Sequence, residues 1–293
     1  MKFGVDLQRC NPRLWVELAQ NADALGFESV WVAEHLIFPQ EIATGPADDH
    51  VKVDSALPLF DPFVVLATLG AKTENIRLGT DVFNIGLRHP FVTARSVATT
   101  DLMTGGRVTL GVGSSWLRQE WEAMGLDFDS RGARVDEAID ICRALWSEEF
   151  VEHHGEFFDF APVVFNPKPI QSRIPIHIGG DSSRALRRVV QRGDGWIAML
   201  QTVESFAMAT KWLERACEGA GRSYRDLERT ALVRDPDAED IERWKGAGAT
   251  RIIIAPWSKS TEAVASLRDF ARLHLASPRS MESPGLGCAD GRR

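Results

Sequence analysis

The chain has 293 residues, 44% of them hydrophobic, with a net charge of −7 and a pI of about 5.6. That is enough apolar material for one large core, and without a basic block the charge argues against nucleic acid or an anionic membrane as partner. No apolar run approaches the roughly 20 residues that span a bilayer, and Met1-Lys-Phe-Gly-Val-Asp6 enters a strand pattern without a signal-peptide core.

Eight apolar runs, each followed by an amphipathic helical stretch, are predicted as strands: 2–7, 29–34, 76–83, 107–113, 174–180, 195–199, 229–234 and 251–256. Most are near-continuous, as in Arg251-Ile-Ile-Ile-Ala-Pro256, the pattern of strands buried on both faces. Eight β/α units predict a (β/α)8 TIM barrel over residues 1–276, with its site at the strands' C-terminal ends. Residues 277–293, with two prolines and several glycines, are predicted to be a disordered tail.

In chain order, the first helix, 12–25, opens at Asn11-Pro12, carries Leu14, Leu18, Ala22 and Leu25 at helical spacing, and stops at Gly26. A later helix buries Val135, Ala138, Ile139, Cys142, Leu145 and Trp146 in one stripe. Two long connections, 35–61 after the second strand and 148–173 after the fourth, are read as a lid and a substrate wall. The second is expected to hold a short hairpin around His154-Gly155. Cys10, Cys142, Cys217 and Cys288 form no C-x-x-C pair, so the expectation is reduced thiols in a cytoplasmic protein.

The strand ends carry the candidate chemistry. The second run ends at Glu34-His35, and a His there either handles a proton or is a hydrogen-bonded structural residue. Asp81, in the apolar third run, lies either at an exposed strand end or in locally irregular backbone. The fourth run ends Gly111-Val-Gly113-Ser114-Ser115-Trp116, which either exposes backbone N–H groups to a ring or anion or makes a tight turn. The fifth ends Gly179-Gly180-Asp181-Ser182-Ser183-Arg184 and runs into a helix, an anion site built from N–H groups and the helix dipole, if not ordinary capping. Metal chemistry lacks a ligand pattern: no H-x-H follows the first strand, and His153 and His154 would not face one ion. No Gly-x-Ser-x-Gly elbow is present.

An ordered series of motifs resembles the bacterial luciferase-like oxidoreductases over residues 1–275. It comprises Phe27-Glu-Ser-Val-Trp-Val-Ala-Glu-His35, Ile76-Arg-Leu-Gly-Thr80, Arg88-His-Pro90, Leu102–Gly113, Arg131-Gly132 with Arg134, Asp136 and Glu137, Ile174–Gly180 and Gly193-Asp-Gly-Trp196. Gly113-x-x-Trp116 followed by Arg131-Gly132 is most similar to the branch that uses coenzyme F420, with FMN-dependent two-component monooxygenases as the same-fold alternative. A non-catalytic flavin or phosphate-ligand binder is the reading from another class. The resemblance implies a non-prolyl cis peptide at Asp81-Val82 behind the cofactor ring, and a cofactor phosphate at Gly179, Gly180 and Ser182–Arg184. It further implies Gly111, Gly113, Ser114 and Ser115 beside the cofactor, and His35, with Glu34, near the reactive edge. A small-molecule substrate would lie over the ring against Trp116, Phe157 and Phe158, and a homodimer would form through 62–73 and 90–104. The chain departs from the family in one place. Some deazaflavin-dependent dehydrogenases carry a Glu directly after the fourth-strand glycines, where this sequence has Ser115-Trp116-Leu117 and Glu120 only a turn later.

Overall fold

Each of the eight apolar runs forms a strand, shorter than the run by a residue or more. The computed structural model describes residues 1–40 and 58–275. Most of the expected lid, the tail and Cys288 lie outside these residues. Strands β1 Lys2–Asp6, β2 Ser29–Val32, β3 Arg77–Thr80 and β4 Val108–Val112 belong to the barrel. So do β7 Ile176–Gly179, β8 Gly195–Ala198, β9 Glu228–Leu232 and β10 Arg251–Ile254; β5 Val151–His154 and β6 Asp159–Val163 make a separate hairpin. The closed order is β1-β10-β9-β8-β7-β4-β3-β2, and every barrel pairing is parallel. Around it run α1 Trp15–Leu25, α2 Pro62–Gly70, α3 Pro90–Met103, α4 Arg118–Ala123, α5 Arg131–Ser147, α6 Ser183–Arg192, α7 Val203–Gly219, α8 Ala238–Gly246 and α9 Ala263–His274. The closed eight-stranded barrel with its flanking helices is the expected (β/α)8 fold.

The stripe on α5 is buried as predicted. On α1 the buried set is Trp15, Leu18, Ala19 and Ala22, and Leu14 and Leu25 of the expected stripe are partly buried against the same core; residues 12–14 form a 3₁₀ turn before the α-helix begins.

Apolar side chains fill the space between sheet and helices, while a second small core fills the barrel itself: Trp31, Ile197 and Ile253, with Val82, Met199 and Leu232. Trp31 is its plug. Gly4 on β1 and Gly79 on β3 make room for the indole: a Cβ on Gly4 would stand 2.6 Å from Nε1, and one on Gly79 would overlap the six-membered ring. Below Trp31, at the N-terminal end of the barrel, the buried Arg251 guanidinium lies 5.2 Å from the indole centroid. Arg251 is held by Glu28 at 2.7 and 2.9 Å and by Glu228 at 2.5 Å, so its charge is compensated twice. His177 also stacks on Trp31, at 6.1 Å, and reaches the same Glu228 carboxylate at 3.5 Å. Burial first, then the Arg251 charge, pushes the His177 pKa down to about 4.

The segment 148–173 contains the expected hairpin, but not at the barrel mouth. It follows the C-terminus of α5, so it starts from the end of the barrel opposite the strand C-termini and climbs the outer face of the helices. Phe158 meets His89 at 5.4 Å, Phe160 meets Phe91 at 4.7 Å, and Gln171 binds Asp101 at 2.7 Å. The piece that reaches the mouth after β4 is 113–130, which carries α4.

Candidate active site

At the top of β2 the chain leaves the sheet at Glu34-His35, and α4 folds back over it. Glu120, in the first turn of α4, is fully buried. Its Oε1 accepts the Leu36 N–H at 2.6 Å, and its Oε2 lies 3.0 Å from His35 Nδ1 and 3.3 Å from the Ser115 hydroxyl. A carboxylate only accepts, so the hydrogen on Nδ1 points to Glu120, and Nε2 has no hydrogen-bond partner among the described residues. Ser115 adopts φ 61° and also accepts the Leu117 N–H at 3.2 Å, which turns the chain from β4 into α4. Trp116 is 43% exposed and meets the His35 ring edge-on at 5.8 Å; Phe38 meets it at 4.9 Å. His35, Ser115 and Trp116 are thus brought together, around a Glu and a Phe that sequence reasoning did not assign.

Glu34 faces the other way. Its carboxylate accepts the Asn84 N–H at 2.9 Å and pairs with Arg88 at 2.5 Å, and its backbone carbonyl accepts Asn84 Nδ2 at 3.1 Å. It ties the end of β2 to the turn after β3. Between these lies the cis peptide Asp81-Val82. Pairing resumes at once on the far side, where Phe83 N–H donates to Gly111 O at 2.8 Å and Gly113 N–H to Phe83 O at 3.0 Å. The Val82 side chain then projects between Gly113 and Gly179, where a Cβ on either glycine would stand 2.6 Å from a Val82 methyl. Those glycines are accounted for by Val82, and Gly111 by the backbone of Thr80. Asp81 is buried, which excludes the exposed strand end, and it lies in irregular backbone, the other of the two local readings.

Across the mouth, β7 turns through Gly179 and Gly180 into α6. Asp181 is spent on this turn, accepting Met199 and Leu200 N–H at 3.1 and 2.8 Å. Ser182 caps α6 through the Ala185 N–H at 3.1 Å. Beside it lies a cavity of about 460 Å³ lined by Ser114, Arg131, Gly132, Ser182, Arg184, Arg187 and Arg188, with Asp129 and Asp136. Arg188 pairs with Asp136 at 2.5 Å; Arg131, Arg184 and Arg187 have no carboxylate within 4 Å among the described residues. Burial and the neighbouring Arg118, Arg184 and Arg188 pull the Arg131 guanidinium below its ordinary pKa. Arg187 and Arg188 fall three and four positions past Arg184, one helical turn on, but their convergence with Arg131 from α5 is visible only in three dimensions.

Phe157 and Phe158 are not brought together with Trp116. Their N–H groups bind Glu137 at 3.1 and 2.9 Å, and Phe158 lies under Arg134 on the outer helix layer. His153 and His154 bind different carboxylates, Glu137 at 2.9 Å and Asp159 at 2.6 Å.

The sequence profile of the luciferase-like monooxygenases matches residues 2–243. The chain belongs to that family. An uncharacterized protein of Mycobacterium tuberculosis is 30% identical over 87% of this chain and 88% of its own length. A phthiodiolone/phenolphthiodiolone dimycocerosates ketoreductase of the same species is 30% identical over 75% of this chain and 61% of its own. Among solved structures, an F420-dependent secondary alcohol dehydrogenase superposes with a TM-score of 0.77 at 19% identity, covering 93% of this chain and 97% of that one. A monooxygenase from Streptomyces bottropensis gives 0.76 at 22%, covering 94% and 99%. These structural likenesses show the luciferase-like barrel.

Proposed function

We propose that this luciferase-like protein is an F420-dependent oxidoreductase that moves a hydride between the deazaflavin and a small organic substrate. The observation that carries the reading is the arginine cavity beside α6. One phosphate at a helix N-terminus needs the free N–H groups of Ser183 and Arg184 and one cation. Two further guanidinium groups without a paired carboxylate, Arg131 and Arg187, suit a longer anionic tail, and F420 carries glutamate carboxylates beyond its phosphate where FMN ends. The ketoreductase relative supports carbonyl or alcohol chemistry.

In this reading Gly179, Gly180, Ser182, Ser183 and Arg184 would hold the phosphate, and Ser114, Arg131 and Arg187 the tail. Asp181 positions the turn, and Glu34 positions the Asp81-Val82 backbone. Val82, seated between Gly113 and Gly179 with Gly111 beneath, supplies an apolar floor for a planar ring. The bound deazaflavin supplies the hydride chemistry. His35 holds or moves a proton at Nε2, oriented by Glu120 and Ser115, while Trp116 and Phe38 keep water from the substrate side. The described cysteines are free and buried, in keeping with a reducing cytoplasm. Exposed Val64 on α2 with Val92 and Met103 on α3 supports a homodimer through those helices, which light scattering would test.

The decisive experiment is a pair of fluorescence titrations of the apo protein with F420 and FMN. F420 tighter by about tenfold, about 1.4 kcal/mol, is the expected result. FMN binding tighter would turn the assignment to the monooxygenase alternative, and binding of neither would remove the cofactor reading.

A further inference from the structure

The mechanism above leaves two carboxyl groups unused at the centre of the barrel mouth. Inward positions alternate along β1 as Gly4 and Asp6, and along β3 and its extension as Gly79 and Asp81. Both glycines face Trp31, so both aspartates belong to the next layer toward the mouth, above the indole. Their surroundings there are apolar, with Val82, Met199, Leu232 and Ile253. Asp81 is 5% exposed, and its Oδ1 has no hydrogen-bond partner among the described residues. Asp6 accepts the Gln8 N–H at 2.9 Å and lines a cavity of about 180 Å³ with Arg9 and Arg234. Arg9 stands 3.7 Å from Asp6 but is largely in solvent, and Arg234 donates to Trp257 O at 3.1 Å. Among the described residues no cation other than Arg9 pairs with either acid.

We propose that Asp6 and Asp81 share one proton at neutral pH, and that Asp81 uses it to donate a hydrogen bond to a carbonyl oxygen of the ring laid over the mouth. The ring contact rests on the cofactor reading above; the shared proton does not. Two carboxylates in an apolar layer repel each other and lose hydration, so retaining one proton is the cheaper state. Burial raises both groups, Asp6 to about 6 and Asp81, to which the Asp6 charge adds, well above its ordinary range. An ionised Asp81 would repel a ligand carbonyl; a protonated one donates to it. The charged groups facing the pair are Arg9, from the turn after β1, and Arg234, from the turn after β9, with His35 and Glu120 beyond on the β2 and β4 side.

Infrared spectroscopy of the apo protein labelled with [13C]aspartate tests the proton directly. A carboxylic-acid C=O band at pH 7 that shifts with the label and disappears in Asp81→Asn is expected. Its absence from the wild type would overturn the pair without reference to any cofactor. F420 titrations test the contact: affinity of the wild type should fall as pH rises from 6 to 9, while Asp81→Asn, whose amide still donates, should stay within about threefold and lose that dependence. Asp81→Leu, checked for folding by its thermal melt, should bind about tenfold more weakly. Wild-type affinity in a folded Asp81→Leu would overturn the contact. The acid band in a protein that binds neither F420 nor FMN would overturn the contact and the cofactor reading together, leaving the pair.

Discussion

Stability in mild acid should be limited by His177. In the fold its pKa is about 4 against an ordinary 6.5, because the ring is buried and faces the Arg251 charge, with Glu228 at 3.5 Å only partly offsetting both. The sign follows from proton binding. Between pH 4 and 6.5 the unfolded chain takes up a proton on this residue that the folded chain refuses, so stability falls as pH drops through that window. Moving a pKa from 6.5 to about 4 is worth about 3 kcal/mol, a large share of the 5–15 kcal/mol typical of a domain. Asp6 and Asp81 act in the opposite sense. Their folded pKa values are raised, so their contribution is full below 3.8 and is lost as pH rises. The wild-type profile is therefore a sum, and the clean quantity is the difference between wild type and His177→Gln, in which the aspartates cancel. Urea unfolding at half-unit steps from pH 4 to 7 should show that difference growing by about 3 kcal/mol toward neutral pH. The lost stacking on Trp31 adds only a pH-independent offset. A difference that stays level across the window would refute a buried neutral His177.

Glu120→Gln keeps an acceptor for the Leu36 N–H but turns an amide toward His35 Nδ1; kcat should fall by about 10²-fold or more with cofactor affinity unchanged, as measured by steady-state rates beside fluorescence titration. Arg184→Ala combined with Arg187→Ala should weaken F420 by about tenfold or more and FMN much less, and equal losses for both would discredit the tail assignment. Gly79→Ala places a methyl inside the Trp31 ring system and should cost about 2–4 kcal/mol, read as a melting temperature lower by roughly 5–15 °C.

The barrel was legible because its strands are buried on both faces: Ile252, Ile253 and Ile254 are consecutive, and no surface helix tolerates such a run. The α6 turn was legible too, since glycine, serine and arginine occur there in direct succession. Glu120 was not. Its meaning depends on α4 folding back across the top of β2, a contact over 85 residues that no local periodicity encodes. The misplacement of Phe157 and Phe158 has the same origin. An aromatic-rich segment between two strands was assigned to the mouth, but it begins at the C-terminus of α5, and the direction of that helix decides the end of the barrel at which it starts.

Asp81 marks the limit most clearly. Taken alone, an acid in an apolar strand is a contradiction that exposure or backbone irregularity would relieve. In the barrel it is buried, and only the register of β1 against β2, and of β2 against β3, brings Asp6 and Asp81 above the same indole. The sequence spells each aspartate as an anomaly of its own strand. What makes them a pair is closure of the barrel, and the chemistry of a shared proton belongs to the pair and to neither residue alone.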